Sequence, residues 1–157
     1  MNPKLISPDK ISNAIARWRL KSDTIVFSNG CFDVLHVGHL HTLQEAKRLG
    51  DKLVVGINSD ASVKRLKGQD RPINGEQNRA ELLSALSIVD AVVIFEEDSP
   101  IEVIRIIQPD VLVKGGDWPL DKIVGKDIVE ARGGKVISVP FKVNDSSTEI
   151  INKIRKL

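Results

Sequence analysis

The stretch SNGCFDVLHVGHLHTLQEAKRLGD, residues 28–51, holds all three histidines of the 157-residue chain, His36, His39 and His41. It also holds the sole cysteine, Cys31. Ahead of it, TIVFS (24–28) is a compact, β-branched run that stops at Asn29-Gly30. Behind it, Leu40, Leu43, Ala46 and Leu49 recur at helical spacing from Gly38 to Leu49, and Gly50 supplies a stop. The pattern predicts a strand, a short turn and a helix, with the histidines at the helix entrance.

The same alternation continues in both directions. Ile11, Ile15 and Trp18 predict an N-terminal helix over about 7–19, with Ser7 or Asp9 near its start. KLVVGIN (52–58) reads as a strand, and Asp60 caps a helix ending near Gly68, followed by the loop GQDRPING. Glu76 to Leu86 reads as helix and AVVIF (91–95) as strand, and Ser99-Pro100 opens another helix. DVLVKGG supplies a fourth strand and loop, Asp121 to Arg132 a helix, and KVISVPF a fifth strand. The last helix starts near Ser146 and Ser147, with Ile150, Ile151 and Ile154 as its apolar side.

Short, continuously apolar strands suit burial on both faces of a parallel sheet. The expectation is an α/β chain: one domain over 1–157, three-layered and Rossmann-like, with a five-stranded, mostly parallel sheet. Right-handed crossovers then place ligands at the carboxyl ends of the strands.

Composition narrows the class. Lys plus Arg is 23 against 21 for Asp plus Glu, a formal charge of +2, which gives no reason to expect nucleic-acid binding. No run approaches the ~18 apolar residues of a membrane span, and the first twenty residues lack the apolar region of a secretory signal. One cysteine cannot form an internal disulfide, so a cytoplasmic location is the easiest fit.

His36 and His39 lie three apart at a helix entrance, with Gly38 between them leaving room for a ligand. Free N–H groups and the positive end of the helix dipole favour phosphate there, and Gly30 allows close approach from the strand side. Two imidazoles add donors to charge growing on a phosphoryl group. A structural role, or a metal, is the competing reading. Zinc needs three or four protein ligands, and Asp33 is the only obvious third, with Cys31 beside it. His41 faces another way and fits surface packing. Neither G-x-G-x-x-G nor G-x-x-x-x-G-K-[ST] is present, so nucleotide phosphates would have to be held by another arrangement. Composition and spacing go no further.

GCFDVLHVGH (30–39) resembles the signature of the nucleotidylyltransferase superfamily, whose H-x-G-H element binds ATP or CTP phosphates in a Rossmann-like fold. KGGDW (114–118) resembles its second nucleotide loop, and SSTEI (146–150) its S-T-x-x-I element. The intervening sequence is similar to the D-glycero-beta-D-manno-heptose 1-phosphate adenylyltransferases, in their stand-alone form rather than as half of a bifunctional kinase and adenylyltransferase. That resemblance implies transfer of AMP from ATP to heptose 1-phosphate, giving ADP-heptose and pyrophosphate for the lipopolysaccharide inner core. It implies Mg²⁺ with the triphosphate, a homodimer, and no covalent enzyme intermediate. A cytidylyltransferase for glycerol phosphate, an adenylyltransferase for flavin mononucleotide and a non-catalytic nucleotide-sensing domain are the competing readings.

Carried over by resemblance, His36 and His39 act on the triphosphate, and Gly38 lies beneath it. Asn29, Gly30, Cys31 and Phe32 border the phosphates. Asp33 orients Mg²⁺ or a loop, or makes a simple turn bond. Lys114 and Gly115 belong to the second loop, where Asp117 and Trp118 meet ribose and base; Trp118 also fits a packing aromatic, and Lys114 a lysine facing water. Ser147 and Thr148 grip phosphate, a position that ordinary helix capping would fill with the same residue types. The approach Lys142 to Asp145 departs from the family pattern, since Val143 cannot replace the usual carboxylate. From the basic stretch Lys64, Arg65, Lys67 and Arg71, the acceptor phosphate is assigned to Lys67 and Arg71. Arg79 is expected to pair with Glu76 one turn away.

Overall fold

The computed structural model describes residues 2–116, 118–141 and 146–157. The elements follow the apolar runs: α1 (Pro8–Arg19), β1 (Ile25–Gly30), α2 (Val37–Lys47), β2 (Lys52–Asn58), α3 (Asp60–Lys67), α4 (Glu76–Ser84) and β3 (Ala91–Phe95). They continue with α5 (Ile101–Ile107), β4 (Val111–Gly115), a 3-10 turn (Leu120–Lys122), α6 (Lys126–Glu130), β5 (Lys135–Val139) and α7 (Ser147–Arg155). The strands make one sheet in the order β3-β2-β1-β4-β5. Every pairing is parallel. β1 therefore sits between β2 and β4, where the winding direction reverses, the position at which open α/β sheets bind ligands.

Alternation along each strand divides the core. Ile25, Phe27, Val54, Val93 and Leu112 face α1 and α5, while Val26, Leu53, Val55, Ile57 and Val113 face the α2 and α4 side. On the first face Gly56 leaves room for aromatic rings. A Cβ there would lie 2.6 Å from Phe27 Cζ and 3.3 Å from Phe95 Cε1. Gly56→Ala should therefore destabilise the fold by ~1–3 kcal/mol through overpacking. Urea unfolding midpoints measure it, and an unchanged midpoint would refute this packing account.

Several boundaries differ from expectation. β1 runs through Asn29 and Gly30, because both still pair with β2. Ser59, not Asp60, caps α3, its side chain accepting the Ser62 N–H at 3.2 Å. α4 ends at Ser84 rather than Leu86, and Pro100 itself takes the cap position of α5. The helix expected over 121–132 is broken at Gly125 (φ +91°), where a Cβ would sit 2.5 Å from Ile104 Cδ1. Leu49 is exposed at the end of α2, and Ile154 is exposed on α7, where Ile151 alone is buried. The sheet edge is closed by residues no pattern marked: Val92 donates its N–H to Lys4 O at 2.8 Å and accepts from Ile6 N at 2.9 Å. Among the described residues, no helix is long and apolar enough to cross a membrane.

Candidate active site

Beyond the carboxyl end of β1 lies the turn that leads into α2. Phe32 adopts a left-handed backbone (φ +48°), and its ring packs over Gly30, where a Cβ would stand 3.2 Å from Cε2. His36 then caps α2, its Nδ1 accepting the Gly38 N–H at 3.2 Å. His39 Nδ1 accepts the His36 N–H at 3.4 Å, and the two rings lie 3.8 Å apart. With Nδ1 accepting, a neutral imidazole carries its proton on Nε2. The pair thus completes a capping box and sets two imidazoles side by side at the helix entrance.

Burial, followed by the charge of His36, pushes His39 down from 6.5 to about 4. The native state therefore holds His39 neutral while the unfolded chain takes up a proton as pH falls through ~6.5. The stabilising contribution is thus complete above pH 6.5 and is lost as pH falls towards 4. We expect a loss of roughly 2–3 kcal/mol over that window. His39→Asn should flatten it in urea titrations between pH 4 and 7, and an equal slope in both proteins would show that His39 is not its source.

Asp33 is 2% exposed and fully engaged by the loop after α3. Its Oδ2 accepts Arg71 Nε–H at 2.5 Å, its Oδ1 accepts the N–H of Ile73 at 2.7 Å and of Asn74 at 2.9 Å, and its carbonyl accepts from Asn74 Nδ2. Of the roles open to it in the sequence, loop orientation is the one the geometry displays.

Arg79 does not pair with Glu76. It is 1% exposed, and it donates to Cys31 O at 2.6 Å, Asn74 O at 2.9 Å and Asp60 Oδ1 at 2.8 Å. Glu76 instead accepts the Asp60 N–H at 2.7 Å. One buried guanidinium thus joins the turn after β1, the start of α3 and the loop before α4. A signal existed: Arg79 precedes Leu83 by four and Leu86 by seven, an apolar-face position carrying a charge.

The second loop approaches from β4. Gly115 packs on α2, where a Cβ would lie 2.8 Å from Thr42 Oγ1, so its visible role is close approach of the two elements. Lys114 is half-buried: burial, aided by Lys67 and opposed by Cys31, pulls its ammonium below the usual lysine range. Its Nζ lies 5.7 Å from the Trp118 ring centroid, and Trp118 Nε1 donates to Gly115 O at 3.1 Å. Trp118 is 49% exposed, so half of its surface is covered and half stays open. Asp117 and the stretch Lys142 to Asp145 lie outside the described residues.

Ser146 caps α7 with Glu149, and Ser147 Oγ donates to Val34 O at 3.0 Å, which ties this helix to the histidine turn. Thr148 is exposed at the same helix start. Asn29 is half-buried at the carboxyl end of β1. Lys67 ends α3, is exposed, and has no ion pair among the described residues. Burial raises the Cys31 thiol, while Lys67, Arg79, Lys114 and Arg71 all act on it in the opposite sense. A neutral thiol is a poor nucleophile and metal ligand. Of these cations Arg71 and Arg79 are matched by Asp33 and Asp60, whereas Lys67 and Lys114 have no ion pair among the described residues and leave surplus positive charge near the end of β1, a field suited to an anionic ligand.

The chain matches the cytidylyltransferase-like family over residues 27–153, a span that includes the histidine turn, Lys114–Gly115 and Ser147–Thr148. The chain belongs to this family. It is 54% identical over 147 residues to the bifunctional protein HldE of Hyphomonas neptunium, covering 94% of this chain and 30% of that protein. It is 51% identical over 151 residues to HldE of Citrifermentans bemidjiense, covering 96% and 31%. The chain therefore spans about a third of the length of these curated relatives. Among solved structures, a lipopolysaccharide core biosynthesis protein of Thermoplasma volcanium superposes with a TM-score of 0.62 at 30% identity, over 78% of this chain and 99% of that one. A pantoate-beta-alanine ligase of Francisella tularensis superposes with a TM-score of 0.61 at 20% identity, over 98% of this chain and 78% of that one, a likeness of fold alone.

Proposed function

We propose that this member of the cytidylyltransferase-like family is an adenylyltransferase that moves AMP from ATP to D-glycero-beta-D-manno-heptose 1-phosphate. The observation that carries the reading is the His36–His39 pair, with rings 3.8 Å apart at the start of α2 and Nδ1 atoms committed to backbone N–H groups. Such an arrangement offers preorganised donors to a triphosphate. A phosphate oxygen of the sugar attacks the α-phosphorus, the bond to the bridging oxygen breaks, and pyrophosphate leaves. Both histidines follow the charge that shifts onto the leaving group. The phosphate monoester needs no general base near neutral pH, so positioning supplies much of the acceleration.

Asn29, Gly30, Cys31, Phe32 and Gly38 border the triphosphate in this reading. Lys114 and Gly115 carry the second loop, Asp117 and Trp118 take ribose and base, and Ser147 and Thr148 approach the phosphates from α7. Lys67 and Arg71 receive the acceptor phosphate. We assign Mg²⁺ to the triphosphate itself. Among the described residues no three His, Cys, Asp or Glu side chains converge on a metal position, and the Asp33 oxygens are already taken.

The acceptor is chosen on resemblance across residues 54–114, and likeness to the lipopolysaccharide core biosynthesis protein of Thermoplasma volcanium supports the same choice. A cytoplasmic homodimer completes the reading; Leu66 on α3, 47% exposed, is an apolar side chain available to such a contact. Incubation with ATP and heptose 1-phosphate should yield ADP-heptose and pyrophosphate, with CTP and glycerol 3-phosphate as parallel arms. Preferential CDP-glycerol formation would replace the substrate assignment, and nucleotide binding without pyrophosphate release from any pair would replace the enzyme.

A further inference from the structure

We propose that Asp33 is a positioning residue for the acceptor phosphate, acting through Arg71 rather than touching nucleotide or metal. The inference rests on the transferase reading and deepens it. The Arg71 side chain is 13% exposed and that of Asp33 1% exposed, so the pair is nearly withdrawn from water. Which nitrogen the carboxylate takes is the decisive detail. Asp33 Oδ2 binds Nε alone, and among the described residues no acceptor engages the two terminal nitrogens of Arg71. Those nitrogens are not sealed in: Asp23 Oδ2 is the sole buried side-chain polar atom without a partner among the described residues. Arg71 thus keeps its stem packed, its Nε anchored and its planar fork accessible.

That posture suits a phosphate. The fork offers two parallel N–H donors of the kind that recognises phosphate oxygens, which a lysine ammonium cannot reproduce while also holding Asp33. Asp33 neutralises the largely buried cation before ligand arrives, so its desolvation is compensated in the free protein. Because Asp33 Oδ1 also pins the Ile73 and Asn74 N–H groups, the loop carrying Arg71 is held in one pose and little conformational entropy is lost on binding. Lys67 and Lys114, close enough to interact with Cys31 and with each other, add positive charge on the same side.

The test titrates inorganic phosphate into protein saturated with a non-hydrolysable ATP analogue, so that the triphosphate position is already filled. Asp33→Asn retains an oxygen for the Ile73 and Asn74 N–H groups but turns an amide N–H towards Arg71 Nε. We expect Asp33→Asn and Arg71→Ala each to weaken phosphate binding about 10-fold, as loss of a charge-assisted pair does. The double variant should be no weaker than Arg71→Ala, because the two act through one contact. Affinity for the ATP analogue should stay within about 2-fold. Unchanged phosphate binding in Asp33→Asn, effects that multiply in the double variant, or an equal loss of nucleotide affinity would each overturn the proposal. Should the Asp33→Asn variant fail to fold, nitrogen-15 NMR of the unaltered protein decides: the Arg71 Nε–H signal should persist while the terminal N–H signals shift with phosphate. Release of Nε–H on phosphate addition would count against it. Failure of the heptose assignment appears elsewhere, as absence of ADP-heptose from the unaltered protein, and leaves the phosphate titration to judge Asp33.

Discussion

His39→Ala is expected to lower single-turnover nucleotidyl transfer on the order of 10²-fold while leaving the protein folded, as loss of one preorganised transition-state donor does elsewhere. The Nδ1 atom is engaged by the His36 N–H, so the chemistry belongs to Nε2–H, and substitutions can separate the two nitrogens. His39→Gln places an amide donor near the Nε2 position and should regain part of the rate. His39→Asn can restore only the internal bond and should not. His36 divides in the same way. His36→Ala forfeits the cap of α2, at a cost of about 1 kcal/mol, whereas His36→Asn keeps a good cap and still loses rate. Rapid-quench measurements with saturating ATP, beside circular dichroism of each variant, read both quantities. Wild-type rates in the two alanine variants, or stoichiometric zinc required for activity and lost with either histidine, would end this account of the pair.

Arg79→Met should cost ~2–4 kcal/mol of folding stability, among the largest losses we expect from any single substitution. Methionine keeps most of the packed stem, so the loss reports on the guanidinium. Its removal strands the carbonyls of Cys31 and Asn74 and the Asp60 carboxylate, which is 38% exposed and can turn towards water. The two carbonyls are held in place by the fold, and unsatisfied buried acceptors carry their full desolvation cost. Asp60→Asn alone should therefore be milder, and the double variant little worse than Arg79→Met. Because Cys31 O belongs to the turn beneath the proposed triphosphate, Arg79→Met should also weaken ATP binding under conditions where it remains folded. Urea unfolding with calorimetric ATP titration checks both, and a loss below about 1 kcal/mol would show that Arg79 is not the clamp its contacts describe.

Reading the chain residue by residue succeeds where the signal is local. The strands at 52–58 and 91–95 match to the residue, because a continuous β-branched run bounded by turn residues has one economical conformation. It fails at Gly125, where the sequence looks helical on both sides and the break comes from Ile104 on another helix. It fails likewise at Arg79. Spacing alone offered Glu76 as a partner, but the partners chosen lie up to 48 residues away, on Cys31. Asp33 lay between those cases: its place in the turn was legible, and its commitment to residues 71–74 was not.

The α/β alternation, the parallel class of the sheet and the helix entrance bearing His36 and His39 were all contained in the order of residues, since periodicity and capping act over a turn or two of chain. The strand order β3-β2-β1-β4-β5 was not. It sets β4 beside β1, brings Gly115 against Thr42 and Lys114 to the side of Cys31, and so gathers the residues of the proposed triphosphate site from segments far apart in the chain. Which buried charge meets which partner was equally beyond local reading. A buried carboxylate or guanidinium must be compensated wherever the packed chain places a complementary group, and that choice is made by the fold as a whole.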